Sequence, residues 1–94
     1  MVLVLPNYIV IFISYLIIGK QCVFVIGYAH GGEDKQIGTT FSAQGCLDLM
    51  KNIEPGANGV TWESEHQKCF AEFGAKMISS VCKTCQSCIF EGTF

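Results

Sequence analysis

Six cysteines stand at positions 22, 46, 69, 82, 85 and 88 of a 94-residue chain, and the last three fall within "VCKTCQSC", residues 81–88. No other feature limits the fold as much. A set this dense binds a metal, runs a redox reaction or stitches a small core together. The choice turns on the compartment, and the compartment is read from the other end of the chain.

Fifteen of the first 19 residues are apolar or aromatic, and the run "YIVIFISYLII", Tyr8 to Ile18, holds one polar residue, Ser14. Such a run falls short of the ~20 residues that a bilayer-spanning helix needs, but it matches the apolar core of a secretory signal. Gly19, with Ile17 two positions before it, offers an imperfect cleavage site, and no basic side chain precedes Lys20. Residues 1–19 are therefore expected to be a signal peptide and residues 20–94 a secreted, extracellular domain. One alternative keeps 1–19 as an uncleaved membrane anchor, which would bring the protein to a membrane. Another makes the run a buried strand or helix of a cytosolic domain.

Without residues 1–19 about 75 residues remain. A core that small is marginal, and extracellular domains of this size usually add covalent staples. An even cysteine count behind a signal-like segment makes disulfides the default. The chain carries eight acidic residues against six lysines, no arginine, and a net charge of −2. That excludes the basic, arginine-bearing footprint of a nucleic-acid binder. Asn7, Asn52 and Asn58 all lack the hydroxyl residue of a glycosylation acceptor.

The pattern along the chain predicts an α+β domain, with one helix packed on a small antiparallel sheet. "QCVFVIGYA", 21–29, reads as a strand. "HGGEDKQIG", 30–38, reads as a polar connection. Over 42–53, Cys46, Leu49, Met50 and Ile53 recur at helical spacing, Ser42 is placed to cap the helix, and Pro55-Gly56 stops it. "GVTW", 59–62, and "CFAEF", 69–73, read as strands joined by the polar turn "ESEHQK", and 75–82 suits a further strand.

Three kinds of chemistry have some support in the residues. Cys82, Cys85 and Cys88, with His30 or His66, have zinc-like spacing, but structural zinc sites use two separated ligand pairs and only one cluster exists here. Cys82 and Cys85 have dithiol spacing, but they follow a strand-like run and do not open a helix that would lower a thiol pKa. Ser64, Glu65 and His66 are adjacent on a turn, where side chains diverge, so they make no triad. Glu33 and Asp34 are too few oxygens for calcium. No catalysis, metal or cofactor is expected. Glu63, Glu65, His66 and Lys68 on the hairpin are exposed candidates for binding a ligand.

The stretch "CLDLMKNIEPGANGVTWESEHQKCFAEF" resembles the PAN/apple superfamily. The blocks "GGEDKQIG", "ANGVTWE", "KCFAEFG" and "QSCIF" are similar to a PAN-like module of extracellular proteins in aquatic invertebrates and fish, and the resemblance covers about residues 27–91. Met50 and Ala57 stand where that superfamily has a partnered cysteine pair, so the pair is missing together. The resemblance implies a binding module for an extracellular protein or a carbohydrate. It also implies a bridge from Cys46 on the helix to Cys69 on a strand. Strand alternation allows that bridge if Cys69, Ala71 and Phe73 face the helix. A terminal bridge would join Cys88 to an early strand, where Cys22 is the available partner. Cys82 is then left to bond to Cys85 or to another chain.

Overall fold

Ser42 begins the one helix found among residues 22–90, the part of the chain that the computed structural model describes. The apolar run at 1–19 lies outside the described residues. Helix α1 spans Ala43–Ile53. The Ser42 hydroxyl accepts a 2.9 Å hydrogen bond from the Gly45 N–H, satisfying one of the donors that a helix start leaves open. At the other end Lys51 sits in the last turn, where the helix dipole favours a cation, and the Glu54 N–H closes on the Met50 carbonyl at 2.8 Å. The apolar stripe starts at Ala43, not at Cys46. Ala43, Cys46, Leu47 and Met50 are buried, Leu49 is half-buried, and Ile53 is 47% exposed.

The helix packs on a five-stranded antiparallel sheet. Its strands are β1 (Val25–Ile26), β3 (Glu33–Thr39), β4 (Gly59–Glu63), β5 (Lys68–Phe73) and β7 (Cys85–Ile89), in the order β1-β7-β4-β5-β3. Two further strands, β2 (Tyr28–His30) and β6 (Met77–Ser79), pair with each other. The fold is thus α+β, one helix on a small antiparallel sheet, with three disulfides.

Two stretches differ from the sequence pattern. The expected strand at 21–29 is broken by Gly27 into β1 and β2, which belong to different sheets. Gly27 has φ +140°, and a Cβ there would lie 2.5 Å from the Ser79 carbonyl oxygen, so only glycine makes the turn-over. The expected connection at 30–38 is mostly strand β3. Most of its side chains are polar because it is an edge strand, exposed except at Ile37 and Gly38, and backbone hydrogen bonds tie it to β5 while Ile37 packs against the core. Register shifts between Gln36 and Gly38, a bulge that bends the edge.

Alternation gives the sheet two buried faces of opposite character. Toward the helix point Val60 and Trp62 of β4, Cys69 and Ala71 of β5, and Cys88 of β7, which close the core with Ala57 and Phe90. The Trp62 indole N–H donates to the Thr40 carbonyl at 3.0 Å, tying the helix entry to the sheet. Away from the helix point Thr61, Glu72 and Ser87, all no more than 1% exposed. Strand β2 crosses this second face: the Ala29 N–H donates to Thr61 Oγ1 at 3.3 Å, and the Ser87 hydroxyl donates to the Gly27 carbonyl at 2.7 Å.

Cys46 and Cys69, both 0% exposed, join the helix to β5 across the apolar face. In the chain-entropy model, closing that loop contributes about 3.5 kcal/mol. That is comparable with the whole net stability of so small a core. Replacing both with serine is expected to leave most molecules unfolded at about 37 °C. The same change at Cys82 and Cys85, which closes a four-residue loop, should cost only about 2 kcal/mol. Thermal melts of the two double variants check this, and equal melting temperatures would contradict it.

Candidate functional site

All six cysteines are bridged. Cys22 is bonded to Cys88, Cys46 to Cys69, and Cys82 to Cys85, with Cα–Cα separations of 5.5, 5.3 and 5.4 Å. Each bridge has a different job. Cys22–Cys88 holds the chain just before β1 against β7. Cys46–Cys69 holds the helix to the sheet. Cys82–Cys85 closes the turn between β6 and β7, so that β7 leaves the turn in register with β4, where Cys85 lies opposite Glu63. No thiol is left for a metal or a redox cycle in this state, and Cys82 does not need another chain.

The turn closed by Cys82–Cys85 meets the tip of the β4–β5 hairpin. The Ser64 N–H and hydroxyl both donate to the Thr84 carbonyl, at 2.8 and 3.0 Å. Between them stands Glu63. Its Oε1 accepts from the His66 N–H at 2.9 Å and lies 2.9 Å from His66 Nδ1. Its Oε2 accepts from the Glu65 N–H at 2.9 Å and from the Thr84 hydroxyl at 3.2 Å. One carboxylate therefore orders the hairpin turn and fastens it to the neighbouring loop. The turn closes through Gln67, a non-glycine residue at φ +59°, whose carbonyl accepts from the Thr40 N–H at 3.0 Å.

This corrects the place of Glu63 among the exposed candidates. It is half-buried, with 17% of its side chain exposed, and both oxygens are engaged within the fold. Glu65, His66 and Lys68 are exposed as expected, and Val81 and Lys83 on the adjoining loop are exposed beside them. Ligand atoms of Glu63, Glu65 and His66 lie within 4.8 Å of one another. Within the fold the Glu63 oxygens are engaged by backbone and hydroxyl donors, which makes the cluster a turn motif. Sequence reasoning placed Glu63 on the hairpin because it opens the polar turn "ESEHQK". Its partner, Thr84, lies 21 residues away, and no local pattern links the two.

The second face holds the other chemically distinctive group. Glu72 is 1% exposed, and its Oε2 has no hydrogen-bond partner among the described residues. Burial pushes the carboxyl up, the Thr61 hydroxyl contact pulls it back, and the charge of Asp34 across the strand pair adds to the rise, leaving it at about 7. The Tyr28 hydroxyl donates to Asp34 Oδ2 at 3.4 Å, and its ring stacks on His30 with centroids 6.2 Å apart. Desolvation, then the charges of Asp34 and Glu72, raise the Tyr28 phenol as well. Glu72 was legible only as an alternating residue of "CFAEF". Nothing in the sequence marks its face as covered.

Compared with known protein families, with curated proteins and with solved structures, the chain matches none.

Glu63 carries the prediction of this section. Partial burial pushes its carboxyl up, but the hydrogen bonds from the His66 backbone and ring, the Glu65 backbone and the Thr84 hydroxyl outweigh that and hold it below its ordinary value of 4.5. A lowered acid stabilises the folded tip above its unfolded value, and the contribution is lost as pH falls through the folded one. The protection factors of the Glu65 and His66 amides, measured against their intrinsic exchange at each pH, should therefore fall on acidification below about 4.5. Glu63→Ala should show the faster exchange at neutral pH while the amides of α1 keep their protection. Unchanged exchange at the tip of that variant would remove Glu63 from this role.

Proposed function

We propose that the chain is a small secreted binding module, PAN/apple-like, that recognises an extracellular protein or carbohydrate and has no catalytic activity of its own. The observation that carries this reading is the set of three disulfides in a described domain of residues 22–90. Such density belongs to oxidising compartments, where small domains are stapled instead of being enlarged. Among the described residues no helix is long and apolar enough to cross a membrane. The proposed order of helix, β4, β5 and closing strand, with Cys46 on the helix bonded to Cys69 on β5, supports the PAN/apple resemblance.

The binding end we assign is the one where the hairpin tip and the Cys82–Cys85 turn meet. Glu63, Ser64 and Thr84 hold the two loops to each other. A surface already ordered before binding gives up little conformational entropy when a partner arrives. It presents Glu65, His66, Lys68 and Lys83 as polar contacts with Val81, 84% exposed, beside them. Loops on a rigid scaffold are where binding residues concentrate.

The test is expression of the full chain through a secretory pathway, followed by screening of the product on arrays of extracellular proteins and glycans. The expected product is in the medium, lacks residues 1–19, and is six hydrogens lighter than its reduced mass. The ligand it retains should bind at least ~10-fold more weakly to the combined Glu65→Ala, His66→Ala, Lys83→Ala variant, with an unchanged melting temperature. Full-length protein confined to membranes would replace secretion with anchoring. Equal binding by the variant would move the site elsewhere on the domain.

A further inference from the structure

The five-stranded sheet has two edges of opposite character. At one edge, β3 carries Glu33, Asp34 and Lys35 and is bent by the bulge between Gln36 and Gly38. Charges and bulges are how an edge strand refuses a further strand. At the other edge stands β1, which among the described residues has β7 on one side and no strand on the other. No Asp, Glu, Lys or Arg occurs from Gln21 to Gly32. Of the eight large apolar side chains that are exposed among the described residues, four fall within residues 23–28: Val23 at 82%, Val25 at 45%, Ile26 at 56% and Tyr28 at 37%. Phe41, Ile53, Met77 and Val81 are spread over the rest of the chain.

The backbone of this edge has a direction. The Gly27 N–H donates to the Cys85 carbonyl at 2.8 Å, Val25 lies opposite Ser87, and Ile26 lies opposite Gln86. In an antiparallel ladder successive residues turn their backbone groups alternately toward and away from the neighbouring strand. With Gly27 and Val25 turned to β7, Ile26 directs its N–H and carbonyl to the open side. An apolar edge that offers such groups is a template for one more strand. The Cys22–Cys88 bridge holds the segment against β7, so the edge is ordered before that strand arrives and gives up little entropy on pairing.

We propose that β1 is a dimerisation edge, at which a second copy of this chain adds its own β1 antiparallel and joins the two sheets into one. Charge selects the occupant. A charged strand from another protein finds no counter-charge along residues 21–32, whereas two copies of this segment meet with no like charges to oppose them. Each copy also supplies what the other lacks, an uncharged strand rich in β-branched residues. Gly27 sets the register. The chain leaves the sheet there for β2, so pairing extends only toward Val23, and the two-fold axis falls at Val25. Ile26 then exchanges backbone hydrogen bonds with the partner's Phe24, and the two Val25 side chains meet across the axis. The same operation turns the two β4–β5 hairpin tips in opposite directions, so neither covers the other. The dimer does not depend on the ligand end proposed above.

The apolar patch is small, so the dimer belongs to the weak class, and the experiment is sedimentation equilibrium of the oxidised protein expressed from the full chain, from about 1 µM to about 1 mM. A reversible monomer–dimer equilibrium is expected within that range. Val25→Lys sets two ammonium groups against each other at the axis and should weaken the dimer at least ~10-fold. Phe41→Lys adds the same charge at a side chain that is 91% exposed elsewhere and should leave the dimer unchanged. If Val25→Lys does not fold, amide exchange of the wild type decides. Protection of Ile26 should rise with protein concentration, while that of Val25, turned toward β7, changes less. A protein that stays monomeric up to about 1 mM overturns the proposal. A dimer that Val25→Lys leaves intact overturns it as well, by placing the contact on another face. So does an Ile26 amide protected equally at every concentration, which assigns the edge to residues 1–21 of the same chain.

Discussion

The covalent tie between Cys46 and Cys69 is the constraint on which the rest of this domain depends. It joins the helix to β5 at a point where both residues are fully buried. The apolar face it crosses is modest: Val60, Trp62, Ala71 and Cys88 on the sheet, Ala43, Leu47 and Met50 on the helix. A core of that size offsets little more than the conformational entropy of ordering it. The bridge acts on the other side of the balance by removing freedom from the unfolded chain. With the helix held, β4 and β5 have one covered face, and register across the sheet is specified, because a slip of one residue would turn Cys69 and Ala71 outward.

The other two bridges extend this order to the ends of the sheet. Cys22–Cys88 fixes the chain entering β1 beside β7, and Cys82–Cys85 delivers β7 to β4. Around that delivery the domain builds its most organised surface. Glu63 accepts from two backbone amides and the Thr84 hydroxyl and contacts the His66 ring, so two loops from distant parts of the chain move as one. A carboxylate used in this way is a scaffold for the neighbouring side chains and not a contact group itself.

The two faces of the sheet are held by different physics. The helix face is apolar and disulfide-bonded. The opposite face buries Thr61, Glu72 and Ser87 beneath β2 and is laced by hydrogen bonds between these polar side chains and the covering backbone. Buried polar chains of this kind are stable only when every proton is accounted for.

The sequence by itself determined the α+β class, the helix with its Ser42 cap, the β4–β5 hairpin and the reliance on disulfides. Each is written in short-range terms: a helical or alternating spacing, a capping hydroxyl, a stop at Pro55, a cysteine count too high for chance. What only the tertiary structure decided lies in relations between distant residues. Polar β3 became a strand because β5 offered it a backbone edge, which leaves a single apolar residue, Ile37, in "GGEDKQIG" and no alternation to read. The strand-like run at 21–29 split because Ser79 passes within contact of Gly27. Ile53, apolar and in phase, stayed exposed, while Ala43 and Leu47 set the buried stripe. Glu63 and Glu72 read alike as acids of a polar hairpin. One became the hub of a surface turn and the other a buried carboxyl with one oxygen unpartnered among the described residues. The difference is where β2 and the Cys82–Cys85 loop come to rest, since burial and hydrogen-bond supply depend on the neighbours that folding brings, not on the residue's place in the chain.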